Sequence, residues 1–396
     1  MGEAAERGKE KWPQVRLGDV CDDKITSISS KENFDIIYID ISSIDNKTKC
    51  ISSYTKIPAK KAPSRAKQIL KLNDILVSTV RPNLNAVAIN TLDEDTVVVG
   101  STGYCVLRST EKIENKYLFY FCQSPTFIEQ LVKRAKGASY PAVSNVDVKN
   151  IQIPLPPLPE QRRIAAVLDQ VSSLIALRKA QLAKLDLLVK ARFVEMFGTE
   201  NEFSMWQCGT VADVANVFVG VVIKPAQYYT DKRNGIPAFR SQNIGCMKVK
   251  DNDWVYFTEE GHLKNKKTII NENDVLVVRS GTPGIACVAS AKCSGYNAVD
   301  IIIVRPHQNQ INPVFLAMFT NMPHGRNQIK EKTGGAAQQH LNIRSYESMK
   351  IIRPPLNLQN QFSAFVKQTN RSECEIQHGL IHLETLKKSL MQEYFG

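Results

Sequence analysis

The chain is written twice. FDIIYIDISSI (residues 34–44) lies 200 positions before NGIPAFRSQNI (234–244), and LNDILVSTV (72–80) lies 200 before ENDVLVVRS (272–280). Within the second pair, Asn73-Asp74 falls on Asn273-Asp274. Further along the separation becomes 198: Gly137 falls on Gly335, Pro157-Leu158 on Pro355-Leu356, and Phe197-Gly198 on Phe395-Gly396. Apolar positions agree between the copies while polar ones differ, which is the pattern of one fold used twice with two different surfaces. At 396 residues the chain also exceeds what one ordinary core accommodates.

Each copy follows the same plan. Short β-like runs come first: IIYIDI, DILVSTV, AVAIN, TVVVG and YCVLRS in copy one, and VFVGVVI, VLVVRS, ACVAS and AVDIIIVRP in copy two. A helical stretch follows (KYLFYFCQSPTFIEQLVKR; NPVFLAMFTNMPHGRNQIKEK), then a glycine-containing loop, a proline-rich junction and a long helix. The expected class is mixed α/β (α+β). The expected division is residues 1–153 as a first globule with 1–14 as a flexible tail, 154–198 as elbow and central helix, 199–353 as a second globule, and 354–396 as elbow and C-terminal helix.

The junctions explain how the helices are aimed. In IPLPPLPEQRRIAAVL (153–168), Pro154, Pro156, Pro157 and Pro159 keep the chain extended, because a residue before proline is held out of helical geometry. Glu160 and Gln161 then open a helix, with negative charge favoured at its start. KIIRPPLNLQNQFSAFV (350–366) repeats the device with Leu358 in place of Glu160. In the first helix Ile164, Leu168, Val171, Ile175, Leu182, Leu185, Val189 and Met196 recur at alternating steps, with Arg178 and Arg192 in the remaining seam places. In the second, Phe362, Val366, Ile376, Leu380, Leu383, Leu390 and Tyr394 do the same. This is coiled-coil spacing, and each stripe finds its natural partner in the other. The expected pairing is antiparallel, which would place a globule near each end of a rod about a pseudo-two-fold axis; parallel pairing would place both at one end. Gly379 interrupts the second helix at a cost of about 1 kcal/mol relative to Ala and reads as sequence drift.

Nine cysteines form no CxxC pair, which argues for reduced thiols in a cytosol. No apolar run reaches bilayer length, and the N-terminus lacks an apolar signal core. The net charge of +12 points to a polyanionic partner.

With the repeat, the PLPPLPEQRRIAAVL junction and the two seam helices together, the chain closely resembles the specificity subunit of type I restriction-modification systems. GIPAFRSQNI and NDVLVVRSG also look like that family's recognition-domain strands. The resemblance covers essentially the whole chain. It implies two target-recognition domains that each read one half of a split, asymmetric DNA site, with spacing set by the helices. It implies two methyltransferase (modification) subunits and a restriction/translocase subunit as partners in a prokaryotic cytoplasm. S-adenosylmethionine, ATP and magnesium are then expected on those partners and no cofactor or metal on this chain, which would itself be non-catalytic.

Candidate DNA contacts divide by chemistry. Residues 46–73 carry Lys47, Lys49, Lys56, Lys60, Lys61, Arg65, Lys67 and Lys71 without an acidic residue, a composition suited to phosphates. Base readout needs side chains with paired donors and acceptors. The candidates are Arg81 and Tyr140 in copy one, and Arg240, Gln242, Asn243, Arg279, Ser280, Gln338, Gln339 and His340 in copy two. Each also has a bland reading as a turn cap, and Gly281, Gly334 and Gly335 as loop-shaping glycines.

The i, i+4 pair His378 and His382 lacks an HExxH glutamate, and the ExK triplet at Glu114 opens a helix; neither carries chemistry. The chain shows no P-loop, no glycine-rich S-adenosylmethionine loop and no NPPY-like tetrapeptide. Two other classes remain open at this point: a protein-binding coiled-coil scaffold with incidental charge, and a self-contained restriction-modification enzyme.

Overall fold

The structure, a computed structural model, describes residues 12–22, 24–29, 33–92, 96–333 and 340–396. The chain forms two compact units, Met1–Lys179 with His378–Gly396, and Ala180–Gln377. Each unit therefore holds one globule and a part of each long helix, Leu158–Phe197 and Leu356–Phe395.

In the first unit an antiparallel sheet runs Tyr104–Leu107, Ile75–Ser78, Val87–Ile89. A second sheet runs Thr55–Pro58, Asp35–Ile39, Val97–Ser101, Ala66–Ile69, with its middle pair parallel. Ile75–Ser78 is buried along its whole length, so it reads as a continuous rather than alternating apolar run. The second unit repeats the plan with Ile301–Pro306, Val275–Val278 and Ala286–Val288, and adds Ala215–Val219 at the edge. Its other sheet again contains a parallel pair, Ile236–Phe239 with Asn297–Ala298.

The Asn-Asp pair shared by the copies is architectural. Asn73 and Asn273 turn the chain at φ 69° and 70°, a left-handed conformation that Asn tolerates. Asp74 and Asp274, each 1% exposed, are then gripped by two guanidinium nitrogens: from Arg108 at 2.7 and 2.8 Å, and from Arg305 at 2.8 and 2.9 Å. A buried carboxylate is tolerated only with such a partner. Each expected helical stretch is in fact two helices, Asn115–Phe121 with Pro125–Arg134, and Pro313–Asn321 with Pro323–Thr333. Proline at the first position of each second helix enforces the break.

Strand Gln14–Arg16 pairs antiparallel with Gln152–Pro154, and Cys208–Thr210 with Lys350–Ile352, so each globule closes where its long helix departs. There a buried glutamine makes the joint. Gln161 accepts from the Glu114 backbone at 2.8 Å and donates to the Pro156 carbonyl at 2.7 Å. Gln359 accepts from the Asn312 backbone at 2.8 Å and donates to the Pro354 carbonyl at 2.8 Å. Glu160 faces outward and pairs with Arg163, so the charge expected to open the helix is held by its own neighbour.

Within each unit the helices run antiparallel. In the first, Ile164 and Leu168 share a core with Met391 and Phe395, and Lys179 meets Glu384 at 2.9 Å. In the second, Phe193 packs edge-on to Phe362 at 5.4 Å, and the Arg192 guanidinium lies 5.9 Å from the centre of the Phe365 ring. Val171, Val366 and Leu380 are buried; Ile175, Leu182, Leu185, Val189, Ile376, Leu383 and Leu390 are half-buried. At the end of the central helix Phe193 and Phe197 are fully buried, where Arg192 and Met196 were expected in the seam. A helix of 3.6 residues per turn drifts relative to a 3.5-residue seam, and here the aromatic side chains pack both on Phe362 of the other helix and on Phe315 of the globule.

Replacing Gln359 by Leu orphans a buried donor and a buried acceptor, and should cost about 2–4 kcal/mol in the unfolding of the second unit, read from the urea midpoint. At Gly379 an added Cβ meets nothing within 4 Å. Gly379→Ala should therefore raise stability, by about 1 kcal/mol in the same assay.

Candidate nucleic-acid interface

The basic stretch of the first unit wraps the second sheet. Lys56 lies on its edge strand Thr55–Pro58, Lys60 and Lys61 on the turn Ala59–Lys61, and Lys67 on the opposite edge strand Ala66–Ile69. Lys47, Lys56, Lys60, Lys61, Arg65 and Lys71 are exposed, and Lys67 is half-buried. Lys49 differs. Its ammonium turns inward to the carbonyl and side-chain oxygens of Asn85 at 2.5 and 2.7 Å. Burial, helped by the neighbouring Lys387, lowers its pKa to about 8. It is a structural lysine rather than a phosphate anchor.

At the end of strand Ile75–Ser78 the chain bends through Arg81 at φ 50°. The Arg81 amide donates to the Pro141 carbonyl at 2.7 Å, and Val80 bridges to Ala142. This brings two readout candidates together: the Arg81 guanidinium sits 4.6 Å from the centre of the Tyr140 ring, which is 69% exposed. A cation over an aromatic face forms a flat polar platform.

The second unit builds the same corner with other side chains. Ser280 bridges to His340, and Gly281 at φ 85° stands where Arg81 stands in the first unit. The Ser280 hydroxyl lies 3.0 Å from Asp300 Oδ2 and 2.8 Å from His340 Nδ1. One hydroxyl proton serves one partner, so donation to Asp300 places the proton of the other contact on His340 Nδ1. The Nε2 of exposed His340 is then an acceptor while the ring is neutral. Arg279 forms an ion pair with Asp300.

Arg240 and Gln242 converge on a different carboxylate. Arg240 donates to the Asp253 carbonyl at 2.6 Å and to its carboxylate at 3.1 Å, and Gln242 donates to the same carbonyl at 3.0 Å. Asn243 is fully buried, accepting from the Arg240 amide at 2.9 Å and donating to the Asn252 carbonyl at 2.6 Å. It holds the turn and has no exposed group for a base, because its amide is spent inside. Gln338, Gln339, Gly334 and Gly335 lie outside the described residues. Sequence reasoning missed Asp300 and Asp253, since an aspartate alone carries no spacing signal and only the fold brings these two to the arginines.

The family profile for the type I restriction modification DNA specificity domain matches twice, over residues 9–187 and 204–384. The chain belongs to this family. A putative type I restriction enzyme specificity subunit of Methanocaldococcus jannaschii (MjaX) is 23% identical, over 96% of this chain and 92% of its own length. The EcoBI specificity subunit of Escherichia coli is 20% identical, over 74% and 67%. Among solved structures, a chain described under "Structural basis underlying complex assembly and conformational transition of the type I R-M system" is 24% identical with a TM-score of 0.61, covering 98% of each chain. The type I S subunit from M. genitalium is 14% identical with a TM-score of 0.59, covering 97% and 96%. These likenesses are likenesses of fold. Among the described residues, no helix is long and apolar enough to cross a membrane.

Contacts between the exposed lysines and phosphates would make affinity salt-dependent. In the assembled complex, Lys60→Ala with Lys61→Ala should lower the slope of log affinity against log salt by about 2. Lys49→Ala should leave the slope unchanged.

Proposed function

We propose that this specificity chain is the non-catalytic DNA reader of its complex, with residues 1–153 reading one half of a split asymmetric site and residues 199–353 the other. One observation carries the reading: each globule closes a corner by a bridge at matched positions, Val80 with Ala142 and Ser280 with His340, and fills it with different side chains. Arg81 and Tyr140 occupy it in one unit, and Ser280, Asp300 and His340 in the other. A common frame with different donors and acceptors suits two different half-sites. The exposed basic residues of 46–73 supply sequence-independent phosphate contacts.

The long helices, about 60 Å each at 40 residues, set the unread spacer. Their outer faces dock two methyltransferase subunits, and a restriction/translocase subunit joins for cleavage. Exposed Arg162 and Arg163 fit that docking surface, whereas Gln161 and Gln359 are withdrawn into the globules. S-adenosylmethionine, ATP and magnesium act on the partners, which flip and methylate adenine, in the cytoplasm of a prokaryotic cell. Methylome sequencing of a host carrying the intact system tests this. The expected result is adenine methylation at one bipartite, non-palindromic sequence that disappears when this gene is deleted; methylation unchanged by the deletion would refute the reading.

A further inference from the structure

Beside the Ser280–Asp300–His340 corner the second unit exposes an apolar tip. Ile223 is 79% exposed and Val222 is 45% exposed, in a segment whose preceding residue is buried. The tip is held in place by backbone. The Gly220 amide donates to the Ile301 carbonyl at 2.9 Å, the Val221 amide to the Ala298 carbonyl at 2.8 Å, and the Asp300 amide to the Val221 carbonyl at 3.2 Å. Gly220 permits this approach, since a Cβ there would lie 2.6 Å from the Ala298 backbone. Beyond the tip, exposed Lys224 turns the chain back at φ 46°. The same residue, Asp300, thus anchors the tip by its amide and the polar corner by its carboxylate.

A β-branched side chain left in water beside a polar reading corner and a lysine is suited to the one apolar group that duplex DNA offers at a base edge, the thymine methyl. The groove follows from that group. The thymine methyl lies only in the major groove, which also presents amino donors for the His340 nitrogen and acceptors for Arg279 and Lys224. We propose that Ile223, flanked by Val222, contacts the 5-methyl group of a thymine in the major groove of the half-site read by the second unit. The proposal rests on the DNA-reading function above and adds a base and a contact to it.

The test uses the assembled complex and duplexes carrying its methylome-mapped site, with each thymine replaced in turn by deoxyuridine, which removes only the methyl. At one thymine, in one half-site only, the replacement should weaken wild-type equilibrium binding about fourfold, the factor that burial of one methyl-sized group gives. Ile223→Ala should bind the intact site more weakly by about the same factor and ignore deoxyuridine at that position, while responding normally elsewhere. An Ile223→Ala complex that responds to every replacement as wild type does overturns the proposal, as does a site in which no thymine replacement matters. Loss of any preference for the mapped site over a scrambled duplex in the wild type overturns the DNA-reading function itself. That outcome is distinct from an intact preference that ignores position 223.

Discussion

The rest of this structure depends on two buried glutamines. Gln161 and Gln359 each tie a backbone amide of the globule to a carbonyl in the proline junction, at the first turn of a long helix. The prolines before them remove backbone donors, Pro159 falling in the first turn of the helix where a proline is tolerated, so the junction has few backbone hydrogen bonds of its own to fix its direction. A side-chain amide offers a donor and an acceptor at once, and burial makes either bond costly to leave unmade. The joint is therefore rigid for a physical reason, and each helix inherits the orientation of the globule that it leaves.

That rigidity is placed under surfaces that differ. Both globules grip an Asp with an Arg behind the central strand, and both close a corner by a bridge from the end of that strand. Buried pairs of this kind are expensive to alter one partner at a time, so they act as fixed points. The exposed positions around the corner carry no such constraint. Arg81 and Tyr140 stack in one unit, while Ser280, Asp300 and His340 form a hydrogen-bonded chain in the other. A duplicated reader of DNA needs this separation of frame from surface, since the frame aims and the surface chooses.

Charge follows the same division. Lys60, Lys61 and Arg65 stay in solvent, where they can meet phosphates, while Lys49 is drawn inward to Asn85 and loses basicity. Asn243 shows the same turn of fate: a residue type that reads adenine is spent on its own turn. Composition cannot distinguish these cases, because a lysine in solvent and a lysine against a carbonyl have the same letter.

The sequence by itself determined the duplication, the strands Asp35–Ile39, Ile75–Ser78 and Val275–Val278, the two long helices, the proline elbows and most of the apolar seam. Those features are local or periodic, and hydrophobic period and proline geometry act over a few residues. It also exposed the family through the junction. Tertiary structure alone decided which polar side chains face outward, that Phe193 and Phe197 are buried beside Arg192 and Met196 at the helix end, and that Asp300 joins Arg279, Ser280 and His340. Each of these depends on segments distant in the chain meeting in space, Ser280 with Asp300 and His340, and Phe193 with Phe315 and Phe362, and a contact of that kind leaves no periodic trace in the chain that makes it.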